Sequence, residues 1–351
     1  METPSPAASP VSQQYGHLLN VRWLLMLVIA IIILVSLAAD FMLGPSGLDL
    51  STLLRTLFAP GQADPTTVVI VWDVRLPYAV MAVAVGLGLG LAGAEMQTIL
   101  ANPLASPFTL GISSAAAFGA SLALVLDLGL PGLPPGWAVA GNAFLFAILS
   151  ALLLDALGRW GGMSGPGTVL VGIALVFTFN ALVSLMQFIA SAEDLQNLVF
   201  WTMGSLSRAT WLKVGGMLLA FALILPLCLR DAWKLTALRL GEERAISFGI
   251  DVKRQRLISL LRISFLAALA VSMVGTISFI GLIAPHIARR LFGEDHRFYL
   301  PGSALLGAMI LSLASIASKN IVAGVIVPVG IVTSLVGVPF FMTVILRRRA
   351  G

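Results

Sequence analysis

Apolar runs recur along the chain near residues 23–43, 77–100, 108–126, 137–157, 168–190, 211–229, 302–318 and 321–346, separated by short polar connections. Each is close to the roughly 20 residues that a helix needs to cross the hydrocarbon core of a bilayer. A further stretch, 257–292, reads in two ways. Hydropathy alone draws one helix through Ile263–Pro285 and gives nine crossings. A pair of short helices turning near Gly275–Gly281 gives ten.

Charge decides between them. With the N-terminus cytoplasmic, nine crossings leave 11 of the 21 basic residues inside and 10 outside. Ten crossings return Arg289, Arg290, Arg297, Arg347, Arg348 and Arg349 to the inside and move Lys319 out, for 16 inside and 5 outside. Basic residues concentrate on the cytoplasmic side of membrane proteins, so the pattern predicts an all-α polytopic bundle of about ten transmembrane helices with both termini cytoplasmic. Residues 1–20 are polar and rich in Pro and Ser and read as a disordered cytoplasmic tail, followed by a membrane domain over 21–351. Trp23–Leu43 is long enough to span and has no clear cleavage site, which argues against a signal peptide.

Composition agrees. Hydrophobic residues make up 58% of the chain and charged ones 11%, against about 25% charged in a soluble domain. The mean hydropathy is +1.00 and the pI about 9.9; the basic excess fits cytoplasmic loops better than nucleic acid. Cys228 is the single cysteine, so no intrachain disulfide forms. No GxxxxGK[ST] loop is present, so the chain is not expected to hydrolyse nucleotide. There is no HExxH, and His17, His286 and His296 are scattered. Neither a metal site nor a Ser/His/Asp set is expected, and an enzyme is disfavoured.

Three connections stand out. The segment 44–76 is predicted outside and carries Arg55 and Arg75; 191–210, also outside, holds Glu193, Asp194 and Arg208. The segment 230–256 is the longest cytoplasmic loop and is dense in charge. Within it Gly241 and Gly249 bracket Glu242, Glu243, Arg244 and Ala245, a spacing that suits a small helix with acidic residues in its first turn, where the helix dipole favours them. Such a rigid element could pass motion from a soluble partner to the bundle; a surface helix that only fixes topology is the plain alternative. Gly86, Gly88, Gly90 and Gly93 fall in the second apolar run, and small residues there predict close helix packing rather than a ligand site.

Intramembrane polar residues are the remaining candidates. Glu95 lies near the end of the second helix and reads either as functional or as a locally hydrogen-bonded group near the interface. Asn180 and Gln187, on one face of the fifth run, either line a pathway or bond between helices. Asp40, Asp127 and Asp155 read as boundary charges at helix ends.

Five stretches, in order, carry a resemblance. They are Arg75-Leu76-Pro77; Gly93-Ala94-Glu95-Met96-Gln97 with Asn102-Pro103-Leu104-Ala105-Ser106-Pro107; Leu240-Gly241-Glu242-Glu243-Arg244-Ala245 with Gly249; Phe279-Ile280-Gly281-Leu282-Ile283-Ala284-Pro285-His286 with Gly293-Glu294-Asp295-His296-Arg297; and Pro328-Val329-Gly330 with Gly337-Val338-Pro339-Phe340-Phe341. Together they resemble the FecCD-type permeases of ABC importers for ferric siderophores, haem and vitamin B12, over nearly the whole chain from about residue 20.

The resemblance implies the type II importer permease architecture of ten helices, in the bacterial inner membrane. It implies a second permease, identical or paralogous, two ATP-binding subunits that bind the ATP, and a periplasmic or lipid-anchored binding protein; no cofactor is expected in this chain. It places ATPase coupling on Gly241, Glu242, Glu243, Arg244, Ala245 and Gly249, and binding-protein docking on Arg75. At the end of the ninth helix the family often has Ala-Asp with an Arg four residues after the Asp. Here Ala314-Ser315 and Lys319 keep the base without the acid. Lys319 and Arg55 are the further docking candidates, and Asn180, Gln187 and Glu95 those for the pathway. The Ser315/Lys319 variant favours a ferric siderophore over haem or cobalamin. A secondary transporter driven by an ion gradient is the competing class; it would need more intramembrane ionisable groups than Glu95.

Overall fold

The computed structural model describes residues 10–44, 48–132, 135–161, 165–322 and 324–349. Among these the architecture is helical throughout: α1 (Pro10–Met42), α2 (Leu50–Phe58), α3 (Pro65–Val69), α4 (Leu76–Ile99), α5 (Ile112–Val125), α6 (Pro135–Trp160), α7 (Gly165–Ile189), α8 (Ala192–Thr202), α9 (Trp211–Arg230), α10 (Ala232–Leu238), α11 (Glu242–Ser247), α12 (Val252–Val274), α13 (Ile280–Phe292), α14 (His296–Asn320) and α15 (Val329–Arg349). A π-type turn over Ile70–Arg75 joins α3 to α4. By length and composition seven helices could cross a membrane: α1, α3–α4 taken together, α6, α7, α9, α12 and α14; α5 and α15 are shorter apolar helices. With α13 they make ten.

Helix starts follow the chemistry of their first turns. Ser191 caps α8 by accepting from the Asp194 amide at 3.2 Å. Asp251 caps α12 through the Arg254 amide at 3.0 Å, and Asp295 caps α14 through the Arg297 amide at 3.0 Å. Each satisfies an amide that has no partner within its helix.

Two boundaries differ from the sequence expectation. Residues 1–9 of the expected tail lie outside the described residues, but helix is already present from Pro10. Once the apolar segment nucleates a helix, extension adds one hydrogen bond per residue, and proline suits the first turn. The last apolar run, expected over 321–346, becomes helix only at Val329, directly after Pro328.

α4 is the axis of the bundle. Nearly all its residues are buried, against α14, α12, α13 and α9. Glycine makes this possible. A β-carbon on Gly86 would collide with the Gly307 carbonyl, one on Gly307 with that of Gly86, and one on Gly90 with that of Ser303. Gly93 meets Gly281 of α13 in the same way. Where lipid supplies no hydrophobic drive, such backbone contact is what holds helices together. α12 lies inside, with most of its residues buried, whereas α7 is peripheral and largely exposed.

The 257–292 stretch is split. α12 ends at Gly275, whose φ of +80° suits glycine, and α13 begins after Phe279, whose φ is +69°. A non-glycine residue in the left-handed region stores strain. Tertiary contacts fix the chain just before it. Ser205 N donates to Val274 O at 2.7 Å, Gly330 N donates to Gly204 O at 3.2 Å, and Thr276 Oγ1 donates to Thr202 O. Gly204, Gly275 and Gly330 each lie where a β-carbon would strike a neighbouring backbone, so three chain segments meet at one junction.

Candidate functional site

The loop expected over 230–256 folds into α10 and α11. α11 carries Glu242 and Glu243 in its first turn and is bracketed by Gly241 (φ +110°) and Gly249 (φ +80°). Gly241, Glu242, Glu243, Arg244 and Gly249 are exposed, whereas Ala245 is buried. Ile246 and Phe248 are exposed apolar residues on the same short element. α11 is thus a projecting knob with charged and apolar faces.

This knob is wired to the bundle. Phe248 packs on Trp233 of α10, with ring centroids 6.3 Å apart. Arg256 of α12 donates to Glu242 and, at 3.1 Å, to the Ile99 carbonyl at the end of α4. Arg239, just past α10, grips Glu294 with both ends of its fork, at 2.6 and 3.1 Å. Hydrogen bonding from Arg239 holds the Glu294 carboxyl below the usual carboxylate range, and the same contact raises Arg239. His296 bridges Thr98 of α4 at 2.8 Å and Thr236 of α10 at 3.1 Å.

Deeper lies a buried ion triad. Arg262 of α12 donates to Glu95 of α4 through Nη2, and through Nη1 to Asp231 and the Leu227 carbonyl, both at 2.9 Å. Ser259 (2.6 Å) and Cys228 (3.2 Å) complete the shell of Glu95, and Lys234 pairs with Asp231 at 2.9 Å. The side chains of Arg262, Glu95 and Asp231 are 6%, 1% and 3% exposed. Burial works to raise Asp231, but hydrogen bonds from Lys234 and Arg262 outweigh it and hold the carboxyl low. Glu95, expected to line a pathway, is therefore enclosed, because a carboxylate at this depth needs a cation. Asn180 is exposed and Gln187 half-buried on α7, a rim helix that packs on α5 and α6; the fold does not gather the three pathway candidates at one place. Sequence reasoning missed Arg262. The available signal was its position between Leu261 and Ile263 in an apolar run, a buried cation matched to the buried acid of α4.

At the opposite end of the bundle stand the three docking candidates. Arg75 is buried, and its guanidinium donates to the Phe41 and Met42 carbonyls at 3.1 Å and to Gly44 O at 3.4 Å. It closes the C-terminal turn of α1. Lys319 pairs with Asp40 of α1 at 3.0 Å, donates to the Asp40 carbonyl at 2.8 Å and lies 4.3 Å from the centre of the Tyr78 ring. Ser315 donates to both oxygens of Asp40 at 3.0 Å. The acid absent at position 315 thus comes from α1, and Asp40 is a buried partner rather than a boundary charge. Of the three, only Arg55 of α2 is exposed, flanked by exposed Leu54 and Phe58.

Also at this end, a cleft of about 550 Å³ lies between the Thr202–Met203 turn, the Gly275–Phe279 junction and α15. Thr202, Thr276, Ser278 and Ser334 contribute hydroxyl groups to it, and Ile331, Leu335 and Val338 apolar surface.

The model of the FecCD transport family matches residues 24–347. The hemin transport system permease protein HmuU of Yersinia pestis is 38% identical over 330 residues, covering 93% of this chain and 96% of that protein. The vitamin B12 import system permease protein BtuC of Vibrio vulnificus is 36% identical over 276 residues, covering 78% and 82%. Among solved structures, an inward-facing metal-chelate type ABC transporter superposes with a TM-score of 0.80 at 30% identity, over 92% of this chain and 99% of that one.

Proposed function

The chain belongs to the FecCD transport family, a multi-pass membrane permease of the ABC importer class, and from that premise we propose that it conducts an iron chelate, a ferric siderophore, inward across the bacterial inner membrane. The observation that carries the mechanism is the projecting α11, tied by Arg256 to α12 and α4, with the adjoining α10 region tied by Arg239, His296 and Arg262 to the start of α14, to α4 and to α12. Two ATP-binding subunits dock on this face, and their closure moves α10 and α11 as a unit. Since the Arg256 and His296 contacts end on α4, that motion reaches the bundle axis. ATP is bound and hydrolysed in those partners; this chain positions and conducts.

The α11 face is cytoplasmic in this reading, as are both termini. A binding protein delivers the chelate at the other end, where Arg55 offers an exposed charge and Arg75 and Lys319 hold the surface in shape. A second permease, identical or paralogous, packs against the exposed apolar side of α7, where Phe177 is 71% and Phe188 86% exposed. The pathway then runs between the two copies, beside Asn180 and Gln187. The metal-chelate type neighbour supports the substrate class; the hemin and vitamin B12 relatives mark the alternatives.

Uptake in cells without their own systems, expressing this chain with its genomic ATPase and binding protein, tests the reading. Labelled ferric siderophore, haem and cobalamin are offered in parallel. Siderophore uptake that vanishes when the ATPase is inactivated is expected. Uptake of haem or cobalamin alone would overturn the substrate, and uptake that follows a proton gradient with no ATPase would overturn the mechanism.

A further inference from the structure

Ten ion pairs are formed among the described residues, and none includes Arg208 or Lys213. These two cations lie together at the bundle end that holds the hydroxyl-lined cleft. Arg208 closes a 3-10 turn, Leu206–Arg208, and Lys213 sits in the first turn of α9. Lys213 Nζ donates to the Arg208 carbonyl at 2.9 Å and lies 6.0 Å from the centre of the Trp137 ring. Arg208 Nη1 is buried and has no hydrogen-bond partner among the described residues. It would lie 3.4 Å from a β-carbon placed on Gly275, next to Thr276 in the cleft wall.

This arrangement is costly as it stands. A buried N–H without an acceptor loses its hydration without replacement, and the two positive charges repel. The acidic groups of the neighbourhood do not relieve it. Glu193 and Asp194 occupy the far end of α8, about 15 Å of helix away. Asp73 follows Trp72, whose carbonyl accepts from Trp211 at 2.7 Å, yet it forms no pair with Lys213. The strained Phe279 and the positive-φ glycines Gly204 and Gly275 belong to the same junction. The unpaired buried donor thus lies against the strained junction, behind the Thr276 wall of the polar cleft.

We propose that Arg208 and Lys213 form a binding site for the anionic oxygens of the transported chelate, a carboxylate or other oxyanion of its ligand shell. The nearby cleft receives the rest of that shell, with the Ser278 hydroxyl as a donor; the hydroxyls of Thr202, Thr276 and Ser334 already donate to the Val199, Thr202 and Gly330 carbonyls and offer lone pairs only. The assignment rests on the importer reading. The fork of Arg208 offers two parallel donors to a carboxylate, and Lys213 adds a point charge beside it. The site selects anionic chelates over neutral ones as they enter.

The test uses the full chain in lipid nanodiscs, with citrate as the probe at constant ionic strength set with chloride. Tryptophan fluorescence reports binding, since Trp137 lies beside Lys213. A saturable change is expected. Arg208→Gln and Lys213→Gln should each weaken it about tenfold or more, and Arg208→Lys much less; size-exclusion profiles verify folding. A response that chloride reproduces, or that survives in the double glutamine variant, overturns the site. No response to citrate, with a change when phosphatidylglycerol replaces phosphatidylcholine in the disc, assigns it to lipid phosphate and overturns the cargo reading. In reconstituted uptake, Arg208→Gln should slow ferric citrate at least tenfold more than uncharged ferrichrome; equal slowing overturns selection by charge. Co-purification with the ATPase is scored separately, so failure of the importer reading is distinguishable from failure of this site.

Discussion

Arg262→Met removes the centre of the buried triad while preserving most of the side-chain volume. It leaves Glu95 without a cation at 1% exposure and strips one partner from Asp231, which keeps Lys234. Breaking a buried pair by deleting one partner costs about 3–5 kcal/mol, because the remaining charge stays uncompensated. Glu95→Gln is milder, at about 1–3 kcal/mol, since the amide oxygen still accepts from Ser259 and Arg262. The double variant Glu95→Leu/Arg262→Met removes both charges and should cost well under the sum of Glu95→Leu and Arg262→Met, since apolar replacement of a buried pair is often nearly neutral. Equilibrium unfolding in mixed micelles, run as a double-mutant cycle, measures the difference. An interaction energy above about 1.5 kcal/mol is expected, beyond the roughly 0.6 kcal/mol average for interhelical hydrogen bonds in membranes. Strictly additive single effects, or an Arg262→Met cost below about 1 kcal/mol, would refute the reasoning, because both require the triad to be solvated.

Other outcomes follow from the same packing. Gly90→Val drives a side chain into the Ser303 carbonyl of α14 and should cost about 3 kcal/mol or more in the same unfolding assay, whereas Gly215→Ala, with open space around it in α9, should stabilise by about 0.5–1 kcal/mol. Glu242→Lys reverses the charge opposite Arg256 on α11; transport should fall below a tenth while co-purification with the ATPase persists, and unchanged transport would remove α11 from the coupling role. The pair of Glu294 with Arg239 adds stability above the ordinary glutamate value of 4.5 and loses it as pH falls through the lowered folded value. The destabilisation caused by Glu294→Gln should therefore be constant from pH 8 to 6 and shrink progressively below about pH 4.5; a penalty that grows on acidification would contradict the sign.

Much of the fold was legible because hydropathy, glycine placement and charge bias are local signals. The break at Gly275 could be inferred from where the arginines after it must lie, and the structure shows why the chain complies there. Gly275 adopts a positive φ, and Ser205 supplies the amide that meets the Val274 carbonyl. The small helix at Glu242 could be read from its flanking glycines and first-turn acids. By contrast, α2 and α8 lay hidden in segments read as loops, since each is shorter than a spanning run.

The amino-acid sequence by itself determined a polytopic helical bundle, its family and the position of its projecting short helix. Only the tertiary structure decided which charges face one another. Glu95 and Arg262 are 167 residues apart, and Asp40 and Lys319 are 279 apart. Arg75 had the look of a surface charge until its guanidinium was seen closing α1. Hydropathy is summed along a segment, so each helix declares itself. The partner of a buried charge is set by which helices touch and at what rotation, and for α4 against α13 and α14 that is decided by backbone contact at glycines whose counterparts lie far away in the chain.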